Sequence, residues 1–245
     1  MQIWQLLEIL LIMPNKIRIA KFIANSGYCS RREAEKLIKD KIVKINDNLC
    51  LHPSNTVTKN DIITIHKKII KLNDTVRLWK MYKPIKFICS TKDDRDRKKI
   101  FDLIPKEFPR MISIGRLDFM SEGLLLLTNN GDYARHLELP KRGYERVYRV
   151  CINGKIEKKD IEKINKGIKI NKINYNKIKI KIDKSDKVYT WIIAKLKEGK
   201  NREIRNICKY FSWKIVKLIR IQYGPYKLAN LTKGKIEEIK VIKNA

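Results

Sequence analysis

The sequence predicts an α+β protein with two domains: a small N-terminal α/β domain and a larger domain built on a mostly antiparallel, mixed sheet. Strand-like segments with alternating or continuous apolar residues recur along the last two thirds of the chain, whereas helical spacing is confined to a few segments. The polar and charged stretch 67–76 is typical of a linker. With 245 residues the chain is long enough for two cores. We therefore expect domains at 16–72 and 73–245.

The segment 1–15 is expected to be an N-terminal extension. Its first thirteen residues, MQIWQLLEILLIM, contain Glu8, lack a basic start and a small-residue cleavage site, and are too short to span a bilayer. Met13 is followed at once by a basic domain start, so we expect translation to begin there. Detection of residues 2–13 in the native protein by mass spectrometry would contradict this hypothesis.

The small domain is predicted to begin with two helices. Residues 17–26 form a short amphipathic helix with Gly27 as its C-cap. Ser30 opens the second helix and forms a capping box with Glu33, which satisfies the amides of the first turn. The apolar stripe of this helix is Ala34, Leu37 and Ile38. Strands are predicted near 42–46 and 62–66, with a turn at 46–48.

The charge balance points to a polyanion as partner. Lysine and arginine total 56 against 26 acidic residues, which gives a formal net charge of +30. Arg31 and Arg32 stand at the start of the second helix, where the helix dipole disfavours cations, and Lys36 follows one turn later. This placement indicates a bound anion such as phosphate, although a solvated charged face is the ordinary alternative.

The large domain is predicted to consist mainly of strands. Three helices are expected, at 132–139, 157–165 and 201–211, the last with apolar residues at helical spacing. The predicted strands are 78–82, 86–90, 111–117, 123–128, 144–151, 168–182, 188–196 and 214–222.

Residues 115–131, GRLDFMSEGLLLLTNNG, contain the most informative pattern. The four leucines 124–127 and the Asn-Asn-Gly turn after them predict a buried strand, which fixes the residues before it. Asp118 therefore has a defined position, with Arg116 on the same face if the segment is extended. A fixed carboxylate beside a cation is a candidate for catalysis. An ordinary surface salt bridge is the alternative for an isolated Arg-x-Asp.

The third helix of the large domain carries two arginines one turn apart, Arg202 and Arg205. Because Arg205 flanks the apolar stripe, we expect a half-buried guanidinium that requires a carboxylate or phosphate. A surface arginine paired with Glu198 fits the same spacing.

Metal and disulfide chemistry have no support in the sequence. The five cysteines are scattered, without a C-x-x-C pair, and the three histidines form no ligand pattern. We expect reduced, mostly buried thiols in a bacterial-type cytoplasmic protein.

The segment 27–47, GYCSRREAEKLIKDKIVKIND, resembles the ribosomal protein S-four-type RNA-binding domain, which binds structured RNA through its second helix. RNA contacts are accordingly expected from Arg31, Arg32 and Lys36. From Lys16 onward the chain resembles the RsuA/RluB family of ribosomal RNA pseudouridine synthases, most closely the large-subunit members. The motifs that carry this resemblance occur in order at 78–105, 115–137, 144–150, 198–211 and 216–228.

The resemblance implies a pseudouridine synthase fold and the isomerisation of a uridine within RNA, without metal, nucleotide or redox cofactor. One essential aspartate falls on Asp118, and whether it attacks the base or the sugar stays open. Arg116 resembles the arginine that fills the vacated stack or holds the flipped nucleotide's phosphate. Tyr148 resembles the tyrosine that stacks on the extruded uracil, a contact worth about 1–3 kcal/mol. A core aromatic on an alternating strand is its structural alternative.

Further site residues follow from the same resemblance. Arg205 resembles the cation that pairs with the catalytic carboxylate. Ile204 and Leu218 are expected to line the uracil pocket, and Arg202 to contact RNA. Glu203 replaces the glutamine expected there most often; we expect it to face away from the apolar stripe without harm to catalysis.

The expected partner is ribosomal RNA, 23S in particular, or a pre-ribosomal particle, and we expect a monomer with no membrane association. Two other functions fit parts of the sequence. A non-catalytic RNA-binding or ribosome-assembly factor would need only the small domain and the charge. Hydrolysis of a nucleoside or glycoside could use Asp118 and Glu122 as paired carboxylates.

Overall fold

The computed structural model describes residues 16–73 and 75–242, so the expectation for residues 1–15 lies outside the described residues. The chain divides into two compact units. The small unit comprises the described residues up to Val76 together with Pro109–Met111, and the large unit comprises Arg77–Phe108 and the described residues from Ile112 onward.

The small unit contains two helices and two small sheets. The helices are α1 (Ile19–Asn25) and α2 (Arg31–Lys39). Strand β1 (Ile17–Arg18) pairs with β4 (Thr56–Val57). The other sheet has the order β3-β2-β5-β6, with strands β2 (Val43–Ile45), β3 (Asn48–Leu49), β5 (Ile63–Ile65) and β6 (Lys68–Ile70).

Local sequence explains these elements. The predicted capping box is present: Ser30 Oγ accepts from the amide of Glu33 at 3.2 Å, and the amide of Ser30 donates to Glu33 Oε2 at 2.8 Å. After α1, Gly27 takes a φ of +84°, which favours glycine. Both helices bury their apolar side chains against the sheets, and the core includes Ile19, Phe22, Ile23, Ala34, Ile38, Val43, Ile63 and Ile65.

The large unit is built on a nine-stranded sheet, whose strands are β7 (Leu78–Lys83), β8 (Ile112–Ile114), β9 (Glu122–Thr128), β10 (Arg146–Asn153), β13 (Lys179–Ser185), β14 (Tyr189–Leu196), β15 (Lys214–Tyr223), β16 (Tyr226–Lys227) and β17 (Ile236–Ile239). Their order is β13-β14-β10-β15-β9-β7-β17, with β8 paired to β9 and β16 paired to β15 at the side of this path. All pairs are antiparallel except β9 with β15, so the predicted mostly antiparallel mixed sheet is confirmed.

Three α-helices of the large unit match the predicted ones closely: α3 (Gly131–Glu138), α4 (Lys158–Lys166) and α5 (Glu203–Tyr210). Short 3-10 turns lie at Ile100–Leu103 and Pro140–Arg142. A core cluster joins the sheet with α4 and α5 and includes Val150, Ile164, Ile192, Ile207, Trp213 and Leu218.

Two predicted strands are wrong. Residues 86–90 form no strand: Lys86 has a φ of +65°, and only an isolated bridge links Ile88 to Lys99. The alternating segment 168–182 is not continuous. Asn171 and Lys172 both have positive φ and form a hairpin turn between β11 (Ile168–Ile170) and β12 (Ile173–Tyr175), so the long strand is interrupted.

The parallel pairing of β9 with β15 depends on Gly123. It lies opposite Arg220 in the register and has a φ of +103°. A Cβ atom at this position would stand 2.4 Å from the carbonyl oxygen of Arg220, a distance that no side chain allows. Glycine therefore permits the close approach of the two strands, and the residues just before β9 are brought to the middle of the sheet.

Candidate active site

A cleft of about 150 Å³ opens in the large unit beside the β9–β15 pairing. Its wall comes from the loop before β9, from β10 and β15, from the end of β14 and from the segment that leads into α5. All predicted catalytic and substrate-binding residues line it, with one predicted RNA contact: Arg116, Asp118, Tyr148, Ile204, Arg205, Leu218 and Arg202. The other predicted RNA contacts, Arg31, Arg32 and Lys36, are exposed on α2 of the small unit.

Asp118 and Arg205 form an ion pair in this cleft. Arg205 Nε lies 3.3 Å from Asp118 Oδ2, and Arg205 Nη2 donates to Ser121 Oγ at 3.0 Å. Burial lowers the pKa of Arg205 and Asp118 opposes this effect, but a guanidinium stays protonated in proteins. The expected carboxylate partner is thus present, whereas Glu198 pairs with Lys200 at 3.0 Å instead.

Residues 116–118 lie in a loop rather than in a strand, so strand alternation does not place Arg116 and Asp118 on the same face. The loop is nevertheless held firmly. Lys83, fully buried at the end of β7, donates from Nζ to three carbonyl oxygens: those of Pro84 at 2.9 Å, Asp118 at 3.1 Å and Ser121 at 2.8 Å. Burial lowers the pKa of Lys83 to about 8. The ammonium group of Lys83 therefore fixes the backbone that carries Asp118.

Further hydrogen bonds fix both ends of this loop. The amide of Gly115 donates to Glu138 Oε1 at 2.7 Å, and the amide of Lys86 donates to the carbonyl of Phe119 at 2.7 Å. The amide of Leu117 contacts Cys89 Sγ at 3.4 Å. A carboxylate on such a loop is positioned before any substrate arrives.

Tyr148 and two aliphatic residues form the apolar wall of the cleft. Tyr148 stands in β10 between Ala194 and Arg220 of the neighbouring strands; it packs against the core cluster and is half-buried. Ile204 and Leu218 belong to that core and also line the cleft. These residues can therefore belong to the hydrophobic core and line the pocket at the same time.

The start of α5 differs from the prediction in two respects. Arg202 is the residue before the helix and has a φ of +52°. Glu203 does not face away from the apolar stripe: it is only 3 % exposed and lines the cleft. Its Oε2 accepts from the amide of Lys200 at 2.9 Å, whereas its buried Oε1 has no hydrogen-bond partner among the described residues. Burial raises the pKa of Glu203 to about 7.

Replacement of Glu203 with glutamine is expected to stabilise the protein increasingly as the pH rises from about 4.5 to about 8. Because the folded-state pKa is raised from 4.5 to about 7, the wild type loses stability as the pH rises through this range. The glutamine variant has no such loss, so its advantage should grow by about 3 kcal/mol between pH 4.5 and pH 8. Urea denaturation across this range measures the difference. An advantage that does not change with pH would contradict the assignment.

Glu122 does not act with Asp118 as a second carboxylate in the cleft. It is buried as the first residue of β9, where Lys233 Nζ lies 2.7 Å from its Oε2 and Tyr82 donates to the same oxygen at 3.3 Å. Glu122 is not among the residues that line the cleft. The paired-carboxylate geometry needed for glycoside hydrolysis is therefore missing among the described residues.

Three residues of the site were not singled out from the sequence: Lys83, Ser121 and Arg220. A signal existed for Lys83, because alternation along β7 places it on the same face as the buried Trp79 and Met81. No comparable signal marks Ser121, whose hydroxyl contacts Arg205 only through the folded chain.

No cluster of His, Cys, Asp and Glu in residues 16–73 and 75–242 could hold a metal ion. In the same part of the chain, no helix has the length and apolar character needed to cross a membrane. All five cysteines are free, and three of them are buried.

Comparisons with protein families agree with this geometry. Residues 77–210 match the RNA pseudouridylate synthase family, and residues 17–63 match the S4 domain. An RNA pseudouridine synthase of Rickettsia felis without a characterised role is 46% identical over 91% of this chain and 96% of its own length. The ribosomal large subunit pseudouridine synthase B of Bacillus subtilis is 33% identical over 91% of either chain.

A solved structure has the same fold. The crystal structure of a pseudouridylate synthase superposes with a TM-score of 0.66 at 24% sequence identity, and the match covers 91% of this chain and 96% of the other. The expected fold class is therefore confirmed.

Proposed function

This chain belongs to the RNA pseudouridylate synthase family, and on that premise we propose that it converts one uridine of 23S ribosomal RNA to pseudouridine, with Asp118 as the essential carboxylate. The Asp118–Arg205 ion pair in the cleft carries this proposal, because binding of RNA alone does not require a carboxylate among cations. The Bacillus subtilis relative, which is named a large-subunit synthase, supports the choice of 23S RNA.

The reaction breaks the bond between C1′ of the ribose and N1 of the base, and then joins C1′ to C5. C5 loses its proton and N1 gains one, so no redox partner is needed. The loop held by Lys83 presents Asp118 to the target nucleotide, while Arg205 orients the carboxylate. Extrusion of the nucleotide costs a few kcal/mol, and Arg116 fills the vacated space or holds the phosphate.

The apolar wall is proposed to hold the extruded base. Tyr148 stacks on the uracil, and Ile204 and Leu218 bound the pocket, because all three line the cleft and are held by the core behind them. Apolar walls also exclude water while the base is detached.

Replacement of Tyr148 with phenylalanine should be milder than replacement with alanine. An aromatic face contributes about 1–3 kcal/mol of stacking, so the alanine variant should lose about 5- to 150-fold in single-turnover rate, and the phenylalanine variant much less. Tyr210→Ala, at an exposed tyrosine of α5, is the control. Equal losses in the two Tyr148 variants would assign the role to the hydroxyl group.

The small unit is proposed to bind structured rRNA through α2, with Arg202 as a further RNA-binding residue beside the cleft. Exchange of Arg31, Arg32 and Lys36 for alanine should reduce the slope of log Kd against log salt by about 0.7–0.9 for each phosphate that is no longer neutralised. The control variant lacks three exposed lysines of α4 (Lys158, Lys159 and Lys163), so it loses the same amount of positive charge from a helix of the large unit. Equal slopes for the two variants would contradict a specific role of α2.

Carbodiimide mapping of pseudouridines in rRNA, with and without the gene, tests the activity and the target together. We expect one 23S position to lose its modification and to regain it when the wild-type gene is restored. A missing site in 16S RNA would contradict the target, and an unchanged map would contradict ribosomal RNA as the substrate.

A further inference from the structure

Unused hydrogen-bonding capacity is concentrated in the cleft. Among the described residues, four buried side-chain atoms have no hydrogen-bond partner: Trp79 Nε1, Glu203 Oε1, Arg205 Nε and Arg220 Nη2. Three of these four residues line the cleft. Arg205 Nε already lies near Asp118, so the unexplained donor is that of Arg220. Buried polar groups without partners are rare in folded proteins and call for an explanation, such as a ligand.

Arg220 is held rigidly. It is only 2 % exposed, its Nε donates to the carbonyl of Leu124 at 2.7 Å, and its guanidinium carbon lies 5.2 Å from the ring centroid of Tyr223. No ion pair among the described residues includes Arg220. By contrast, Arg146 in the same cleft has partners on both terminal nitrogens, Lys197 O and Tyr223 Oη, each at 2.9 Å.

Burial of a cation without a counterion costs folding free energy. Such a cation is explained if a negatively charged group comes next to it during the reaction. The isomerisation supplies one. When the C1′–N1 bond breaks, both electrons leave with the base, and the negative charge spreads over O2 and O4 of the uracil. A cation already fixed in the cleft stabilises such a developing charge without reorganisation.

The turn of the base leaves the same interaction available. N1 and C5 both neighbour C6, so they exchange places when the ring turns about the axis through C6 and N3. This turn also exchanges O2 with O4. A fixed donor that contacts one carbonyl oxygen of the uracil before the turn can therefore contact the other carbonyl oxygen after the turn.

From these observations we infer that Arg220 is a further catalytic residue, whose guanidinium donates to a carbonyl oxygen of the detached uracil and stabilises its negative charge until C5 bonds to C1′. The inference rests on the proposed function. The proton lost from C5 and the proton gained by N1 balance the step, and Arg220 itself neither gains nor loses one.

Single-turnover kinetics with the full chain test this role, on the rRNA fragment whose uridine the mapping experiment identifies. Arg220→Gln should lower the rate of pseudouridine formation by about 10²- to 10³-fold, as does the loss of one donor to a developing charge, with an RNA Kd within about twofold of the wild type. Arg220→Lys should retain part of the rate because it keeps the charge. Arg149→Gln, which removes a guanidinium of β10 paired with Asp183, should leave the rate unchanged.

A modified substrate separates this role from simple support of the fold. RNA with sulfur in place of O4 at the target uridine offers a weaker acceptor and a more stable detached base, so it depends less on Arg220. The ratio of wild-type to Arg220→Gln rates should therefore fall at least about fivefold with this RNA. An unchanged ratio, or a loss confined to RNA affinity, would overturn the role of Arg220. Failure of the wild type to modify unmodified RNA would instead refute the proposed function.

Discussion

Asp118→Asn should abolish pseudouridine formation and leave RNA binding intact. The amide has nearly the same shape as the carboxylate, but it can act neither as a nucleophile nor as a base, so no single-turnover product should be detectable. RNA affinity should not fall, because the substitution removes a negative charge from a surface that meets a polyanion. Product analysis of the modified RNA and a Kd measured at fixed salt give the two readouts.

Asp183→Asn is the matched control for this experiment. Asp183 is also paired with an arginine, with Arg149 Nε 2.9 Å from its Oδ2, and its side chain is 35% exposed against 31% for Asp118. The control therefore removes an arginine–aspartate pair outside the cleft, at an aspartate of similar exposure. Substantial activity of Asp118→Asn, or an equal loss in both variants, would refute the catalytic role of Asp118.

The sequence correctly predicted a feature of the cleft when a residue's neighbours along the chain determine its position. The leucine run of β9 predicted a fixed Asp118, and helical spacing predicted a half-buried Arg205. The environment of Glu203 could not be predicted in this way. Helical periodicity assigned it to the polar side, but its buried carboxylate accepts from the amide of Lys200 in the segment before α5. Arg202, which precedes the helix, has a left-handed backbone.

The fold shows the same limit. Strand β10 was predicted because alternation along a single strand is a local signal. The parallel pairing of β9 with β15 was not, since it depends on residues far apart in the chain, such as Gly123 and Arg220. The turn at Asn171-Lys172 was also missed, because this pair lacks the glycine that marks most two-residue hairpins. Long-range pairing and unusual turns thus account for the errors.

Lys83→Met should impair both stability and catalysis. Methionine fills a similar volume but donates no hydrogen bond, so three carbonyl oxygens around the loop, those of Pro84, Asp118 and Ser121, lose their shared donor. Each buried acceptor left without a partner costs about 1–3 kcal/mol, less the cost of burying the ammonium group itself. On that basis we expect a net loss of about 2–4 kcal/mol in the free energy of unfolding, measured by urea denaturation.

The catalytic loss should exceed what this destabilisation explains. Lys83 touches the backbone of Asp118 rather than its carboxylate, and a displacement of about 1 Å at a reacting group can cost about 10²-fold in rate. The single-turnover rate should fall by about that factor under conditions where the variant is fully folded, with unchanged RNA affinity. Lys80→Met is the control, because Lys80 lies on the same strand and pairs with Glu237 at 3.1 Å. If Lys83→Met folds and reacts as fast as Lys80→Met, the loop does not depend on the ammonium group, and the positioning of Asp118 must come from its other hydrogen bonds.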